Sequence, residues 1–288
     1  MLAIAYWNLG KRAVVQHVVD LIHEVTSSRT LSGPNGDIVL GLTETAKINV
    51  PTLERALGTD FTVTASAYKK FICVHRLKSG QLVSAFEEEK AWPFLLRRGA
   101  GQTLETHCLW FVHRPSKLGH FNSTSNSTLD AANLRQRVEF RESEYATDKS
   151  VLIGDFNADP YSESMVAAEA LNSVMCRNIA IRMKYRTKGN GRYKKIIPMF
   201  YNAMWSALGD QTDTQQPGSY YNGGDLSDSA IWHALDQVLI RPSLIPVLNT
   251  GTPKFLTRIG STSLLSPQAN AVDTSISDHL PVLVTLKI

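Results

Sequence analysis

Short apolar runs that are typical of buried strands recur from the first residues of the chain to the last, and this order limits what the chain can fold into. Only a few helical patterns separate them, so the chain shows neither regular βαβ alternation nor an all-β pattern. Two packed sheets covered by helices fit this order. The predicted strands are residues 2–8, 37–43, 61–65, 71–76, 104–113, 151–153, 234–240 and 281–286.

Helical spacing of apolar residues appears between some of these strands. This spacing, or a proline that opens a helix, predicts helices over residues 12–25, 51–57, 129–145, 162–171 and 198–208. Residues 77–104 are compatible with a hairpin, and residues 116–128 are expected to form a polar loop.

The length of 288 residues suits one large domain or two small ones. No linker rich in Pro, Gly or Ser divides the chain and no fixed-period repeat appears, so we expect a single domain over residues 1–288. The apolar fraction of 43% is ordinary for a soluble globular protein. The three cysteines form no CxxC pair, which argues against a zinc site or a disulfide framework.

The N-terminal segment alternates like a strand and lacks the basic and apolar regions of a signal peptide. No apolar run approaches the length needed to span a bilayer. We therefore expect a cytoplasmic protein without a membrane partner. The net charge of +4 permits a polyanionic partner but does not demand one.

Polar residues that can take part in chemistry recur just where the apolar strands stop. Strand ends are rigid and the loops at one end of a sheet converge, so such residues can share a cleft. The residues of this kind are Asn8, Glu44, His113, Asp155, Asn157, Asp236, Asp278 and His279.

Each of these residues, taken alone, also has a structural interpretation. Asn8 can cap a following helix, Glu44 can be a solvated loop carboxylate, and the Gly-Asp-x-Asn pattern around Asp155 is usual in turns. Asp236 is the exception, because an acid inside an apolar strand is costly unless it is paired. The structural interpretation would have to hold independently at every position, which favours a shared functional site.

Together with their neighbours, these residues resemble the motifs of the endonuclease/exonuclease/phosphatase superfamily, which includes DNase I-like and exonuclease III-like enzymes. The motifs follow the family's order over nearly the whole chain, and Gly-Asp-Phe-Asn with a terminal Ser-Asp-His-x-Pro is a specific pair. The resemblance implies an α/β fold: a four-layered sandwich of two face-to-face mixed β-sheets flanked by helices. The matching stretches are Trp7-Asn8, Glu44, Val112-His113, Gly154-Asp155-Phe156-Asn157, Leu235-Asp236-Gln237 and Ser277-Asp278-His279-Leu280-Pro281.

The resemblance also implies a role for each catalytic candidate. Asp155 activates or orients the attacking water, and Asn157 holds the phosphate or that water. His279 hydrogen-bonds the scissile phosphate, and Asp236 is its buried partner, which favours the imidazolium form. His113 contacts the phosphate and helps to stabilise the leaving side.

The implied cofactor is Mg²⁺, for which Mn²⁺ can substitute, and the implied ligands are Asn8 and Glu44 with a contribution from Asp278. Mg²⁺ prefers oxygen ligands, takes few from the protein and keeps several waters, so an amide oxygen and one carboxylate are enough to seat it. The sequence leaves open whether one or two metals act.

Residues 182–195 contain seven basic residues and no acid, with Tyr185 and Tyr193 between them. Such a segment can track a phosphate backbone while its tyrosines stack on bases, although a solvated basic loop is the alternative. The Gly189-Asn190-Gly191 turn favours a hairpin, so we expect a basic arm beside the cleft. The predicted substrate-binding residues are Arg114, Lys117, Lys184, Arg186, Arg192 and Lys194.

The sequence thus predicts a Mg²⁺-dependent phosphodiesterase, an endonuclease with DNA favoured over RNA as its substrate. The alternative enzyme is a phosphatase or phosphodiesterase that acts on a small phosphorylated molecule or a lipid headgroup, and the sequence shows no exposed apolar hairpin suited to a lipid surface. A catalytically idle binding module is a third interpretation. It is disfavoured because every expected catalytic position holds a suitable residue.

Overall fold

Two mixed β-sheets lie face to face in the computed structural model, and helices cover the outer face of each. The structure describes residues 1–27, 36–78, 80–85, 87–88, 90–99, 101, 104–116, 124–208, 216–223, 228, 230–267 and 271–288. The arrangement confirms the four-layered α/β sandwich that the sequence predicts.

The strands are short except where they cross the centre of the sandwich. In chain order they are β1 (Leu2–Asn8), β2 (Asp37–Thr43), β3 (Thr62–Ala65), β4 (Phe71–Arg76), β5 (Gln81–Ser84), β6 (Ala91–Arg98), β7 (Glu105–His113), β8 (Ser150–Asp155), β9 (Ser173–Val174), β10 (Tyr185–Lys188), β11 (Lys195–Pro198), β12 (Phe200–Asn202), β13 (Tyr220–Tyr221), β14 (Trp232–His233), β15 (Asp236–Ile240), β16 (Lys254–Phe255), β17 (Arg258–Ile259), β18 (Thr262–Ser263) and β19 (Val282–Leu286).

The helices are α1 (Val15–Ser27), α2 (Val50–Leu57), α3 (Thr124–Glu144), α4 (Glu163–Val166) and α5 (Arg177–Met183). Short 3₁₀ segments cover Gly191–Tyr193, Ala203–Ala207 and Pro242–Val247. No helix of the described ranges is long and apolar enough to cross a membrane.

One sheet has six strands in the order β16-β19-β1-β2-β4-β3, and the other has seven in the order β5-β6-β7-β8-β15-β12-β9. Most neighbours are antiparallel, but three pairs run parallel: β1 with β2, β7 with β8, and β9 with β12. The first two parallel pairs lie inside their sheets and end on the same side of the sandwich. The carboxyl ends of four strands therefore meet in one place.

The register of the pairs fixes which residues arrive there. Asn8 is opposite Thr43 in one sheet. In the other, His113 is opposite Asp155, and Asp155 is opposite Asp236 of the antiparallel strand β15. Because side chains repeat every two residues along a strand, a shift of one residue would turn these groups to the opposite face.

Packing is tight because the central strands are covered on both faces. Every residue of β1 and β2 is buried, with α1 on the outer side and the second sheet on the inner side. On the far side of the sandwich, α3 packs Ala131, Leu134 and Val138 onto β7 and β8. The strand ends that carry Asn8, His113 and Asp155 thus rest on a well-packed core.

Two predicted helices differ from the structure. The prediction of a helix over residues 198–208 is wrong, because Phe200–Asn202 pairs with β15 on one side and β9 on the other, and only Ala203–Ala207 is helical. The predicted helix at 162–171 ends at Val166. There the Arg135 side chain donates to the oxygens of Glu169 and Ala170, so the chain gains tertiary hydrogen bonds in place of helical ones.

The remaining predicted elements agree with the structure to within a few residues. The hairpin expected within residues 77–104 is present as β5 and β6. The helix predicted from residue 129 begins at Thr124, inside the segment expected to be a polar loop. Residues 117–123 of that loop lie outside the described residues.

At Gly41 the backbone of β2 lies close to an aromatic ring of the facing sheet. A Cβ built at this position would lie 2.2 Å from the ring of Phe111, which is fully buried on β7. The absence of a side chain on β2 therefore makes room for an aromatic ring from the facing sheet.

We expect Gly41→Ala to destabilise the protein by about 1–3 kcal/mol, the usual cost of overpacking a core. Phe111→Leu leaves space for the added methyl group, so the double variant should be more stable than the sum of the two single losses predicts. Urea unfolding of the wild type, the two single variants and the double variant measures the coupling between the two positions. Strictly additive losses would show that Gly41 and Phe111 do not share this contact.

Candidate active site

The strand ends open into a cleft of about 520 Å³. Seven of the eight residues that the sequence selects for chemistry line it, and they are Asn8, Glu44, His113, Asp155, Asn157, Asp278 and His279. The eighth, Asp236, lies directly behind His279. The structure therefore brings together residues that are up to 271 positions apart in the sequence.

His279 and Asp236 form the most buried ion pair of the cleft. Nδ1 of His279 donates to Oδ2 of Asp236 at 2.7 Å. This bond leaves Nε2 facing Asp155, whose Oδ2 is 4.0 Å away. Burial alone would lower the pKa of His279, but Asp236 and then Asp155 outweigh it and raise that pKa to about 10. His279 is therefore an imidazolium at neutral pH.

Asp155 lies at the centre of the cleft and is almost wholly buried. Its Oδ2 accepts a hydrogen bond from Nδ2 of Asn8 at 3.1 Å, and its Oδ1 accepts one from the backbone N–H of Asn157 at 2.8 Å. Burial raises the pKa of Asp155, and Asp236 raises it further, while His279 and His113 oppose them. Asp155 is thus a more basic carboxylate than one in water.

Asn157 is fixed by its own backbone and side chain. Its φ of 48° lies in the left-handed region, which asparagine tolerates better than most residues. Its Nδ2 donates to the backbone oxygen of Arg114 at 2.7 Å. The turn after β8 thereby holds the amide at the cleft wall.

His113 differs from His279 in its charge. Its Nδ1 is 3.3 Å from Oγ1 of Thr43, and its Nε2 is 3.7 Å from Oε1 of Glu44. Burial lowers the pKa of His113, and Asp155 only partly offsets this. Of these two imidazoles, His279 is therefore charged and His113 neutral at neutral pH, so they can serve different steps.

Asn8, Glu44 and Asp278 supply oxygen donors to the wall of the cleft. Oδ1 of Asp278 is buried and has no hydrogen-bond partner among the described residues. Gly10 leaves it space, since a Cβ there would lie 2.4 Å from this oxygen. Asn8 directs its Oδ1 to the N–H of Gly10, and Glu44 has a left-handed φ of 52° that turns it into the cleft. This all-oxygen set fits a hard cation such as Mg²⁺.

A second group could also hold a metal ion. Asp155, Asp236 and His279 offer ligand atoms that lie within 4.8 Å of one another. However, the 2.7 Å bond between His279 and Asp236 already uses one ligand atom of each. The wall of Asn8, Glu44 and Asp278 is therefore the better site for a cation that prefers oxygen.

Arg114 does not reach the cleft, although the sequence predicts it to bind substrate. Its side chain is buried, and its Nε donates to Oδ2 of Asp130 at 3.0 Å while Nη2 donates to the backbone oxygen of Ser127 at 2.6 Å. Arg114 therefore anchors the beginning of α3. Lys117, the other predicted contact beside His113, lies outside the described residues.

The basic segment forms the expected hairpin, in which β10 and β11 pair from Tyr185 and Pro198 to Lys188 and Lys195. Of the predicted contacts, Arg186 and Lys184 belong to the first side of the hairpin, and Arg192 and Lys194 to its turn. None of these four residues lines the cleft. The hairpin lies to one side of it, against α4 and α5.

Several residues of the cleft have no clear signal in the sequence. The ring of Tyr220 lies 5.1 Å from that of His279. His233 joins two carboxylates, since its Nδ1 is 2.9 Å from Asp159 and its Nε2 is 2.5 Å from Asp228. Tyr220 occurs in a Gly-Ser-Tyr-Tyr stretch that resembles stretches of the same superfamily, whereas the His233 cluster joins two separate segments of the chain and is visible only in the fold.

Known structures with this architecture are numerous. The human Nocturnin catalytic domain with bound sulfate has 16% identity and a TM-score of 0.52, over 98% of this chain and 93% of that one. The 3′ phosphatase NExo from Neisseria, bound to a product DNA hairpin, has 12% identity and a TM-score of 0.51 over 100% of both chains. An endonuclease/exonuclease/phosphatase family protein from Bacteroides thetaiotaomicron has 11% identity and a TM-score of 0.53, over 98% of this chain and 93% of that one.

This chain has the endonuclease/exonuclease/phosphatase fold. The resemblance that the sequence motifs indicate is confirmed at the level of the fold, and at these low identities the likeness shows the fold alone. No family model and no curated protein sequence matches the chain.

Within this fold, the His279–Asp236 pair should make stability depend on pH. The folded pKa of His279, about 10, is above its ordinary value of 6.5, so the stabilisation is fully present below about pH 6.5 and is lost as the pH rises through 10. We expect the free energy of unfolding of the metal-free protein, measured with urea, to fall as the pH rises through this window. It should fall less in His279→Gln. An equal loss in both proteins would show that His279 is not charged in the native state.

Proposed function

We propose that this protein is a Mg²⁺-dependent phosphodiesterase, and that it is an endonuclease acting on nucleic acid, with DNA favoured over RNA. The observation that carries this proposal is the composition of the cleft. The cleft holds a charged histidine, a buried basic carboxylate and a set of oxygen donors that includes the unpaired Oδ1 of Asp278. Phosphodiester hydrolysis needs these parts: an acceptor for the proton of water, positive charge for the phosphate, and support for the leaving oxygen.

Asp155 is the group that orients water and accepts its proton. Its two oxygens are aimed by Asn8 and by the backbone of Asn157. Burial raises its pKa toward the working range of a general base. Asn157 is beside it and offers its amide to the same water or to a phosphate oxygen.

His279 is the group that donates to the phosphate. Asp236 holds Nδ1, so Nε2 carries the proton that faces the cleft. The neutral His113 lies on the other side of Asp155, with Nε2 3.9 Å from its Oδ2, and supports the leaving side. A Mg²⁺ held by Asn8, Glu44 and Asp278 would supply further charge stabilisation of the phosphate oxygens.

Two observations support nucleic acid as the substrate. Residues 182–195 carry seven basic side chains and no acid, which favours contact with a phosphate backbone beyond the cleft. One structure of the same fold is described as bound to a product DNA hairpin. We propose Lys184, Arg186, Arg192 and Lys194 as backbone contacts.

A phosphatase acting on a small phosphorylated molecule is the second candidate. The size of the cleft, about 520 Å³, is within the range of small-molecule sites. Release of free phosphate from such molecules would favour this candidate, and cleavage of plasmid or oligonucleotide would favour the nuclease.

We expect activity to require Mg²⁺ or Mn²⁺ and to stop in EDTA, because the candidate metal ligands are oxygens and the chain lacks Cys/His zinc spacing. Glu44→Gln should raise the Mg²⁺ concentration needed for half-maximal activity while leaving the melting temperature nearly unchanged. A titration of activity with Mg²⁺ measures this. Full activity in EDTA would contradict the metal assignment.

We expect Asp155→Asn and His279→Ala each to lower the rate by at least about 100-fold, as the loss of a general base or of a transition-state donor does. Asp236→Asn should cost less, and its effect should largely vanish in a His279→Ala background, because Asp236 acts through His279. The rates of the wild type, Asp236→Asn, His279→Ala and the variant with both changes form a double-mutant cycle. Additive losses at positions 236 and 279 would argue against this partnership.

A further inference from the structure

A groove of about 580 Å³ lies beside α5 and the β10–β11 hairpin, apart from the catalytic cleft. Apolar side chains form most of its lining, chiefly Val174, Met175, Ile179, Met183, Met199 and Trp205. Arg186 contributes a cationic group to the same lining. The groove is thus an apolar concave surface with a positive rim.

Exposed apolar side chains are concentrated around this groove. Of the fourteen large apolar side chains that are exposed in the described part of the chain, six lie between Met175 and Ile196. They include Tyr185 and Ile196 on the hairpin, so the hairpin has the exposed apolar surface that the sequence does not predict. Contiguous apolar surface of this kind marks a binding site more often than scattered single residues do.

The charge around the groove specifies an anionic occupant. Residues 177–196 contain eight basic side chains and no acid. Lys188 pairs with Glu169, and Nη1 of Arg186 donates to the backbone oxygen of Val166. Among the described residues, no carboxylate forms a salt bridge with Arg182, Lys184, Arg192 or Lys194.

A wall that contains Asp159, Tyr161 and Trp205 separates the groove from the cleft. Asp159 lines the cleft and hydrogen-bonds the hydroxyl of Tyr161. The Tyr161 ring in turn meets the ring of Trp205 edge-on, with 6.4 Å between centroids, and Trp205 lines the groove. A chain-like ligand whose phosphate lies at His279 can therefore continue across this wall.

We propose that the groove binds an unpaired base of the same nucleic-acid strand whose scissile phosphate lies in the cleft, so that the substrate is single-stranded there. This inference rests on the proposed function and narrows its substrate class. A base in a duplex is stacked and paired, whereas an unpaired base can lay its apolar face against Met, Ile and Trp side chains while basic residues follow its phosphates. An anionic bilayer fits less well, because the groove is concave and a flat lipid surface does not fill it.

Binding of a fluorescein-labelled single-stranded oligonucleotide, followed by anisotropy, tests the proposal. The measurements use Asp155→Asn protein to prevent cleavage, and a blunt duplex of the same sequence serves as the comparison. The groove variant is Ile179→Ser with Met183→Ser, and the matched control is Leu129→Ser with Phe140→Ser on α3, where both side chains are also exposed. Equal melting temperatures establish that the variants fold.

The groove variant should bind the single strand at least about fivefold more weakly, the lower range for loss of one stacked base. The α3 control should bind like its parent, and duplex binding should not change. The slope of affinity against salt should also stay the same, because no charge is removed. An unchanged single-strand affinity overturns the proposal, as does an equal loss for the duplex.

Two further measurements separate the other outcomes. A photo-crosslink from a 4-thiothymidine oligonucleotide should map to residues 175–205, and a crosslink elsewhere overturns the proposal without any variant. Sedimentation with phosphatidylserine vesicles that is lost in the groove variant, with single-strand binding intact, would assign the groove to lipid instead. If the wild type hydrolyses a small phosphodiester but the groove fails these tests, only this inference fails; if it hydrolyses no phosphodiester, the proposed function fails.

Discussion

The hydrogen bond between His279 and Asp236 joins the two sheets of the sandwich at the cleft. Asp236 begins β15 of the seven-stranded sheet, and His279 precedes β19 of the six-stranded sheet. Both side chains are buried, so each would be costly there without the other. The contact therefore fixes where the sheets meet and, at the same time, which nitrogen of His279 carries the proton that faces the cleft.

The surrounding hydrogen bonds hold His279 and Asp236 in place before any ligand binds. Trp7 donates to the backbone oxygen of His279, and Ser277 donates to the backbone oxygen of Asn8, so the last loop is tied to the end of β1. Ser219 accepts from the N–H of Asp236. The supporting groups come from strand ends and adjoining turns, which position catalytic groups more rigidly than long loops do.

Much of this could be predicted from the sequence because its physical cause is local. Short apolar runs predict buried strands, and the polar residue that ends each run is visible beside it, as Asn8 and Asp155 are. Asp236 was conspicuous because an acid inside an apolar strand implies a partner. The resemblance of the motifs and of their order to the superfamily then indicates the fold, which strand patterns alone do not determine.

The rest depends on contacts between distant segments. Residues 198–208 have apolar residues at helical spacing, but pairing with β15 and β9 decides the strand at Phe200–Asn202. Arg114 adjoins His113 in sequence, yet Asp130 draws its side chain away from the cleft. The apolar groove joins Val174, Met199 and Trp205 with α5, and no sequence pattern shows that they converge.

We propose that this cleft hydrolyses phosphodiesters with the help of a divalent metal. The most direct test is a comparison of bis(p-nitrophenyl) phosphate with p-nitrophenyl phosphate as substrates of the full chain in Mg²⁺. We expect nitrophenol to be released from the diester much faster than from the monoester. Rapid hydrolysis of the monoester with the diester left intact would contradict it.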